Sequence, residues 1–293
     1  MIKEAENKEL DALIRLLDEP DEDIFTQIRE KIHTYGPDAI PSLEHAWENS
    51  FDNLIQGRIE NIIREIQIDK LKIDLINWKK DKERDLLTGF LIITRYQYPD
   101  LDSTKLSRDV AQIIQDVWLE LNNDLTALEK VKVINHIFFD IHKFSANKAN
   151  FYAPENFFLK NLLETKKGNP MSLGMLYIIV AQSLKIPVFG VDLPKHFILA
   201  YSDEITEGKA TIANEDEVLF YINPFNYGAV FTKNEIDLYI KQLKIKKQDK
   251  FYKPCDNVKI LRRFITELIF SYEKSGYPDK AKELKDILRL IAK

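Results

Sequence analysis

Residues 166–201 constrain the fold more than any other stretch of the chain. Gly168-Asn169-Pro170 interrupts the backbone and then opens a helix, because proline suits a first helical turn, where its missing N–H has no intrahelical partner to lose. Leu173, Leu176, Tyr177, Val180 and Leu184 recur at helical spacing and predict one apolar face. After Ile186-Pro187 come two short apolar runs, Val188–Leu193 and Phe197–Tyr201, whose β-branched and aromatic content predicts strands. Ser172 falls in the first turn of the helix and His196 at the start of the second strand. A hydroxyl at a helix N-terminus and an imidazole on a neighbouring strand could meet as a nucleophile–base pair.

At 293 residues the chain has room for one large domain or two ordinary ones. Its 45% apolar and 30% charged residues are ordinary for a globular protein. A net charge of −5 argues against broad nucleic-acid binding, which rests on neutralising phosphates with Lys and Arg. The single Cys255 excludes an internal disulfide framework and fits a reducing compartment. Met1–Glu9 is charged and lacks an apolar core, so no signal peptide is read there. No apolar run approaches the ~20 residues of a membrane helix. The expectation is a cytoplasmic protein without a membrane partner.

Residues 4–67 predict four helices. Their stripes are Leu10, Leu13, Ile14 and Leu17; Ile24, Ile28 and Ile32; Ala39, Ile40, Leu43 and Ala46; and Leu54, Ile55, Ile59, Ile62 and Ile63. Asp21, after Pro20, is placed to cap the second, and Gly36-Pro37 makes a turn before the third. Residues 70–142 predict further helices, one ended by Tyr98-Pro99. Residues 143–150 read as a polar loop, and Pro154 as the start of a helix through Phe157, Phe158, Leu162 and Leu163. Residues 202–217 read as an acidic connection with a hairpin around Thr211–Ala213, followed by a strand at Val218–Ile222 and a turn at Asn223–Gly228. Thr232 with Glu235 predicts a capping box. The basic run Lys241–Lys250 reads as a solvated helix end rather than a binding patch, and two amphipathic helices close the chain.

The order Lys167, Gly168, Pro170, Ser172, Leu173, then Gly190, Val191, Leu193, Pro194, His196, Phe197 resembles the transglutaminase-like superfamily, and within it the SirB-type branch. The likeness extends upstream to Asn156 and downstream to Ile222-Asn223-Pro224-Phe225-Asn226, so it covers roughly residues 70–275. The two N-terminal helix pairs resemble degenerate HEAT-like repeats, though a bundle packed on the next domain explains them equally well. The resemblance implies an α+β fold: a HEAT-like helical segment over 1–70, a transglutaminase-like core of helices on a small antiparallel sheet over 71–250, and a tetratricopeptide-like helical pair over 251–293.

In active members of the superfamily a Cys at the start of the core helix attacks an amide, a His on a following strand is its base, and an Asp on the next strand orients the His. The helix N-terminus favours an anion and presents free N–H groups, which lowers a thiol pKa and helps bind an oxyanion. By family position those three places fall to Ser172, His196 and Asn223. A serine hydroxyl is far less acidic than a thiol, and the helix dipole contributes only about 0.3–2 kcal/mol, so Ser172 needs full general-base help from His196. Asn223 can orient an imidazole through its oxygen but cannot stabilise an imidazolium by charge. Two readings follow. In the first, the core is catalytically degenerate and serves as a scaffold for a protein or peptide partner, with Ser172 a helix cap and His196 a satisfied, partly buried residue. In the second, Ser172, His196 and Asn223 form a hydrolase or amide-transfer triad.

Cys255, in Tyr252-Lys253-Pro254-Cys255-Asp256, reads as part of a linker after the core, with a loop or packing role. His33 and His45 fall in the N-terminal helices, and His136 and His142 near a helix end with Asp140. No His-Glu-x-x-His or paired-Cys motif supports zinc, and no glycine-rich phosphate loop supports a nucleotide, so no cofactor is expected.

Overall fold

The computed structural model describes residues 2–202 and 218–292. The hairpin expected around Thr211–Ala213 lies outside the described residues. Two compact units divide the chain, Met1–Leu75 and Ile76–Lys293.

The first unit holds α1 (Ile2–Arg15), α2 (Glu22–His33), α3 (Ile40–Asn49) and most of α4 (Asn53–Lys80). Asp21 caps α2 as its position before an amphipathic run requires, its Oδ1 accepting from the N–H groups of Asp23 and Ile24 at 2.9 and 3.1 Å. Leu17, Ile32, Leu43, Ile59 and Ile62 are wholly buried and form this unit's own core. The Arg58 side chain sits among them, donating to the carbonyls of Leu17 and Glu19 at 2.9 and 2.7 Å, with its guanidinium 3.9 Å from the Phe25 ring centre. The guanidinium thus closes the end of α1 by hydrogen bonds that water would otherwise make.

The second unit is α+β, mostly helical with a small antiparallel sheet. Its helices are α5 (Leu86–Gln97), α6 (Ser103–Glu120), α7 (Ala127–Asn135), α8 (Leu159–Thr165), α9 (Pro170–Ser183), α10 (Lys233–Gln242), α11 (Asn257–Lys274) and α12 (Pro278–Ala292). Its strands are β1 (Ser145–Ala146), β2 (Lys167–Gly168), β3 (Val188–Leu193), β4 (His196–Ser202), β5 (Val218–Asn223), β6 (Ala229–Phe231) and β7 (Pro254–Cys255). The main sheet has the order β6-β5-β4-β3-β7, and every neighbouring pair is antiparallel. Thr232 and Glu235 form the expected capping box at α10, with Glu235 accepting from Thr232 N–H and Oγ1–H at 2.6 and 2.8 Å.

α9 differs from its expectation. It does not have one apolar face, because every residue from Pro170 to Ala181 is buried. A helix apolar all round belongs in the middle of a unit, and this one is covered by α5, α6 and α8 on one side and by the sheet on the other. The segment after Pro154 also differs. It makes a short 3-10 turn, Pro154–Phe157, then Phe158 turns extended before α8 begins. The break lets Leu159 N–H reach Thr94 Oγ1 on α5 at 3.2 Å and sets the Phe158 ring 5.7 Å from Tyr98. The polar segment 143–150 is not wholly loop, since Ser145–Ala146 pairs in parallel with Lys167–Gly168 just before α9.

The pleat of β4 assigns its side chains to two faces. A Cβ on Gly174 of α9 would lie 2.7 Å from the Phe197 ring and 3.5 Å from Leu199, so these two residues face α9. Ile198 and Ala200 belong instead to a core with Ile236 and Ile240 of α10.

Candidate functional site

Ser172 is wholly buried in the first turn of α9. Its backbone N–H donates to Asn169 Oδ1 at 2.9 Å, and its Oγ accepts from Asn169 N–H at 3.1 Å. The two side chains therefore satisfy two helix-end donors reciprocally, in the manner of a capping box. A Cβ on Gly168 would stand 2.6 Å from Ser172 Oγ, so the chain closes over the hydroxyl at that side.

His196 opens β4 opposite Leu193 of β3. Alternation along the strand puts it on the face of Ile198 and Ala200, away from α9. Its ring accordingly packs edge-on against Tyr239 of α10, with centroids 5.3 Å apart. Nδ1 is buried and, among the described residues, has no hydrogen-bond partner. Burial holds the imidazole pKa below its ordinary value, with Arg263 acting in the same direction and Glu267 opposing both. Arg263 of α11 is itself held by Asp192 of β3 and by Glu267, the latter through Nε at 2.7 Å.

Asn223 ends β5, and its Oδ1 accepts from Phe225 N–H at 3.1 Å. That bond starts the turn Pro224–Asn226 and uses one of the two lone pairs of the oxygen. Among the described residues, no hydrogen bond joins any two of Ser172, His196 and Asn223. The hydroxyl lies on the α9 side of the sheet and the imidazole on the α10 side.

Cys255 corrects its expectation. It is not in a linker but in β7, the edge strand beside β3, where Gly190 is its partner in register. The thiol donates to the Gly190 carbonyl at 3.0 Å, and burial, with Asp192 nearby, pushes its pKa up to about 12. A thiol of that kind is inert at neutral pH.

Asn135, which the sequence motifs did not single out, holds this region together with Tyr177 and Gly228. Tyr177 of α9 donates to Asn135 Oδ1 at 3.0 Å, and Asn135 Nδ2 donates to the Gly228 carbonyl at 2.9 Å. Gly228 has φ +67°, and any Cβ there would lie 1.9 Å from Asn135 Oδ1. The turn after β5 is thereby tied to the core helix. The detectable signal was the Asn-Tyr-Gly ending of that turn, a left-handed pair that favours glycine. Asn156, named upstream of the core, is buried and donates to the Asn150 carbonyl at 2.6 Å while accepting from Asn147 Nδ2 at 2.8 Å. It organises the loop that precedes α8.

His33 pairs with Glu65 at 3.0 Å, His136 with Asp140 at 3.2 Å and His142 with Asp116 at 2.8 Å. Among the described residues, no group of three His, Cys, Asp or Glu side chains could hold a metal ion, and no helix is long and apolar enough to cross a membrane.

A model of the transglutaminase-like superfamily matches residues 104–266, which span α6 to α11 and so the whole sheet. The UPF0162 protein of Xylella fastidiosa (strain Temecula1) is 28% identical over 156 residues, which are 53% of this chain and 51% of that protein. F-box only protein 21 of Mus musculus is 29% identical over 157 residues, 54% of this chain and 24% of that protein. The UPF0162 protein of Vibrio cholerae is 22% identical over 187 residues, 63% of this chain and 65% of that protein. The matched part thus spans about half the Xylella relative and about a quarter of the mouse one. No solved structure matches the chain significantly.

Proposed function

The chain belongs to the transglutaminase-like superfamily, and from that premise we propose that it is a SirB-type member acting as a scaffold for a protein or peptide partner rather than as an enzyme. In this reading the superfamily core is kept for its shape. The N-terminal helices serve as a HEAT-like segment, and α11 with α12 as a tetratricopeptide-like pair. The working compartment is the cytoplasm, a reading supported by the single, buried and unreactive cysteine.

The observation that carries the proposal is the division of Ser172 and His196 between two faces of one sheet. General-base catalysis needs the base within hydrogen-bond reach of the proton it takes. A hydroxyl committed to the Asn169 cap and an imidazole packed on Tyr239 do not meet that condition.

A Ser–His–Asn hydrolase or amide-transfer enzyme is the second reading, and one observation favours it. A half-buried imidazole whose Nδ1 has no partner among the described residues, and whose pKa burial lowers, is biased toward the neutral form that a general base must have. Labelling with a serine-directed fluorophosphonate separates the two. The scaffold reading expects no labelling of the wild-type protein under conditions where a control hydrolase reacts. Labelling that disappears in Ser172→Ala would establish an activated serine and the enzyme reading with it.

A further inference from the structure

Within the first unit, α3 and α4 enclose a surface groove of about 620 Å³. Trp47 and Ile63 supply apolar surface, and Glu44, Glu48 and Glu60 supply carboxylates against the single guanidinium of Arg64. Trp47 remains 38% exposed although its indole N–H donates to Glu60 Oε1 at 2.9 Å. Fixing a half-exposed indole this way keeps a large apolar side chain at the surface in one position. The turn joining the same two helices carries Phe51, which is 99% exposed, and Leu54 follows it at 56%.

The charge around the groove selects the partner. Residues 1–75 hold 18 acidic against 9 basic side chains, a net −9, whereas the whole chain is −5. The remainder is therefore net positive, and the acidity is concentrated in the unit that bears the groove. A field of one sign draws in the opposite sign and repels its own. An aromatic ring beside carboxylates also suits a guanidinium or ammonium, which gains from both the ring face and the charge.

We propose that the groove between α3 and α4 is a docking site for a basic peptide segment, with Trp47 receiving an aliphatic or cationic side chain and Glu44, Glu48 and Glu60 receiving its Lys and Arg charges. This rests on the scaffold reading and names the chemistry of its partner.

The test uses the full chain and two fluorescein-labelled peptides of equal length, one of Lys, Arg and Leu, the other with Glu in place of each basic residue. Fluorescence anisotropy is read for the wild type, for Trp47→Ala and for the double variant Glu44→Lys, Glu48→Lys. Both changes lie on exposed helix positions, and circular dichroism checks that the fold is kept. The basic peptide is expected to bind the wild type, to lose about tenfold in affinity with either variant, and to bind more weakly as salt rises. The acidic peptide is expected not to bind.

No binding of the basic peptide, equal binding by the charge-reversed protein, or equal binding of the acidic peptide would each overturn the proposal. So would a concentration-dependent dimer abolished by Trp47→Ala, which would assign the groove to a second copy of the chain. None of these outcomes bears on Ser172, so the groove can fail while the fluorophosphonate result still supports a scaffold. Conversely, a reactive Ser172 would remove the scaffold reading whatever the peptides do.

Discussion

At the scale of single residues, the three family positions are held by local physical needs that can be measured. Ser172 Oγ accepts the buried Asn169 N–H. Ser172→Ala leaves that donor without a partner, which costs about 1–3 kcal/mol, so the urea midpoint should fall with an unchanged denaturant slope. An unchanged midpoint would mean that the hydroxyl is spare. His196 makes a prediction with a definite sign. Its folded pKa is depressed by burial, so between the folded value and about 6.5 the unfolded chain binds a proton that the folded chain does not. Stability contributed at neutral pH is therefore lost as pH falls below about 6.5. Tyr239 of α10 and Arg263 and Glu267 of α11 are the polar groups facing it. The comparison that isolates the effect is His196→Gln, which should lack this part of the acid slope in urea melts run across that pH range. Cys255, with its thiol pushed up to about 12, should react with a disulfide reagent only as fast as the fold opens, and promptly in denaturant.

At the scale of elements, the central question is how closely α9 approaches the sheet. Gly174 faces the Phe197 ring, where a methyl group would sit at 2.7 Å. Alanine would improve the helix by about 1 kcal/mol, while overpacking costs about 1–3 kcal/mol. The clash should win, so Gly174→Ala is expected to be destabilising, and Phe197→Leu in the same chain should recover part of the loss. Recovery would appear as non-additive urea midpoints, the sign of a direct contact. The sequence of α9 predicts one apolar face for a local reason. Its leucines and valine do recur at helical spacing, but Met171, Gly174, Met175, Ile178 and Ala181 fill the other faces. A continuous apolar run does not reveal by period alone how many sides are covered. Cys255 shows the converse. Two residues, Pro254–Cys255, are too short to carry any alternation, so an edge strand paired with Gly190 is invisible before the chain is folded.

At the scale of the whole molecule, each unit has its own interior. The core of the first, from Leu10 to Ile66, is contributed by that unit's helices. Leu17→Ala, at a fully buried site, should cost about 2–5 kcal/mol. Hydrogen exchange should show the loss in residues 1–75 while β3 and β4 keep their protection. Uniform loss across both units would show them to be one cooperative body.

What the sequence determined by itself was the order of the longer elements. Caps such as Asp21 and Thr232, breakers such as Pro99 and Pro170, and the paired apolar runs after Pro187 act over a few residues, and local chemistry is written locally. What only the tertiary structure decided was the face that each of the three family positions takes. The family resemblance expects Ser172 and His196 to meet, yet the pleat of β4 directs one strand residue to α9 and the next to α10. A shift of one residue along a strand reverses its side, and which side meets which helix is settled by packing between segments far apart in the chain.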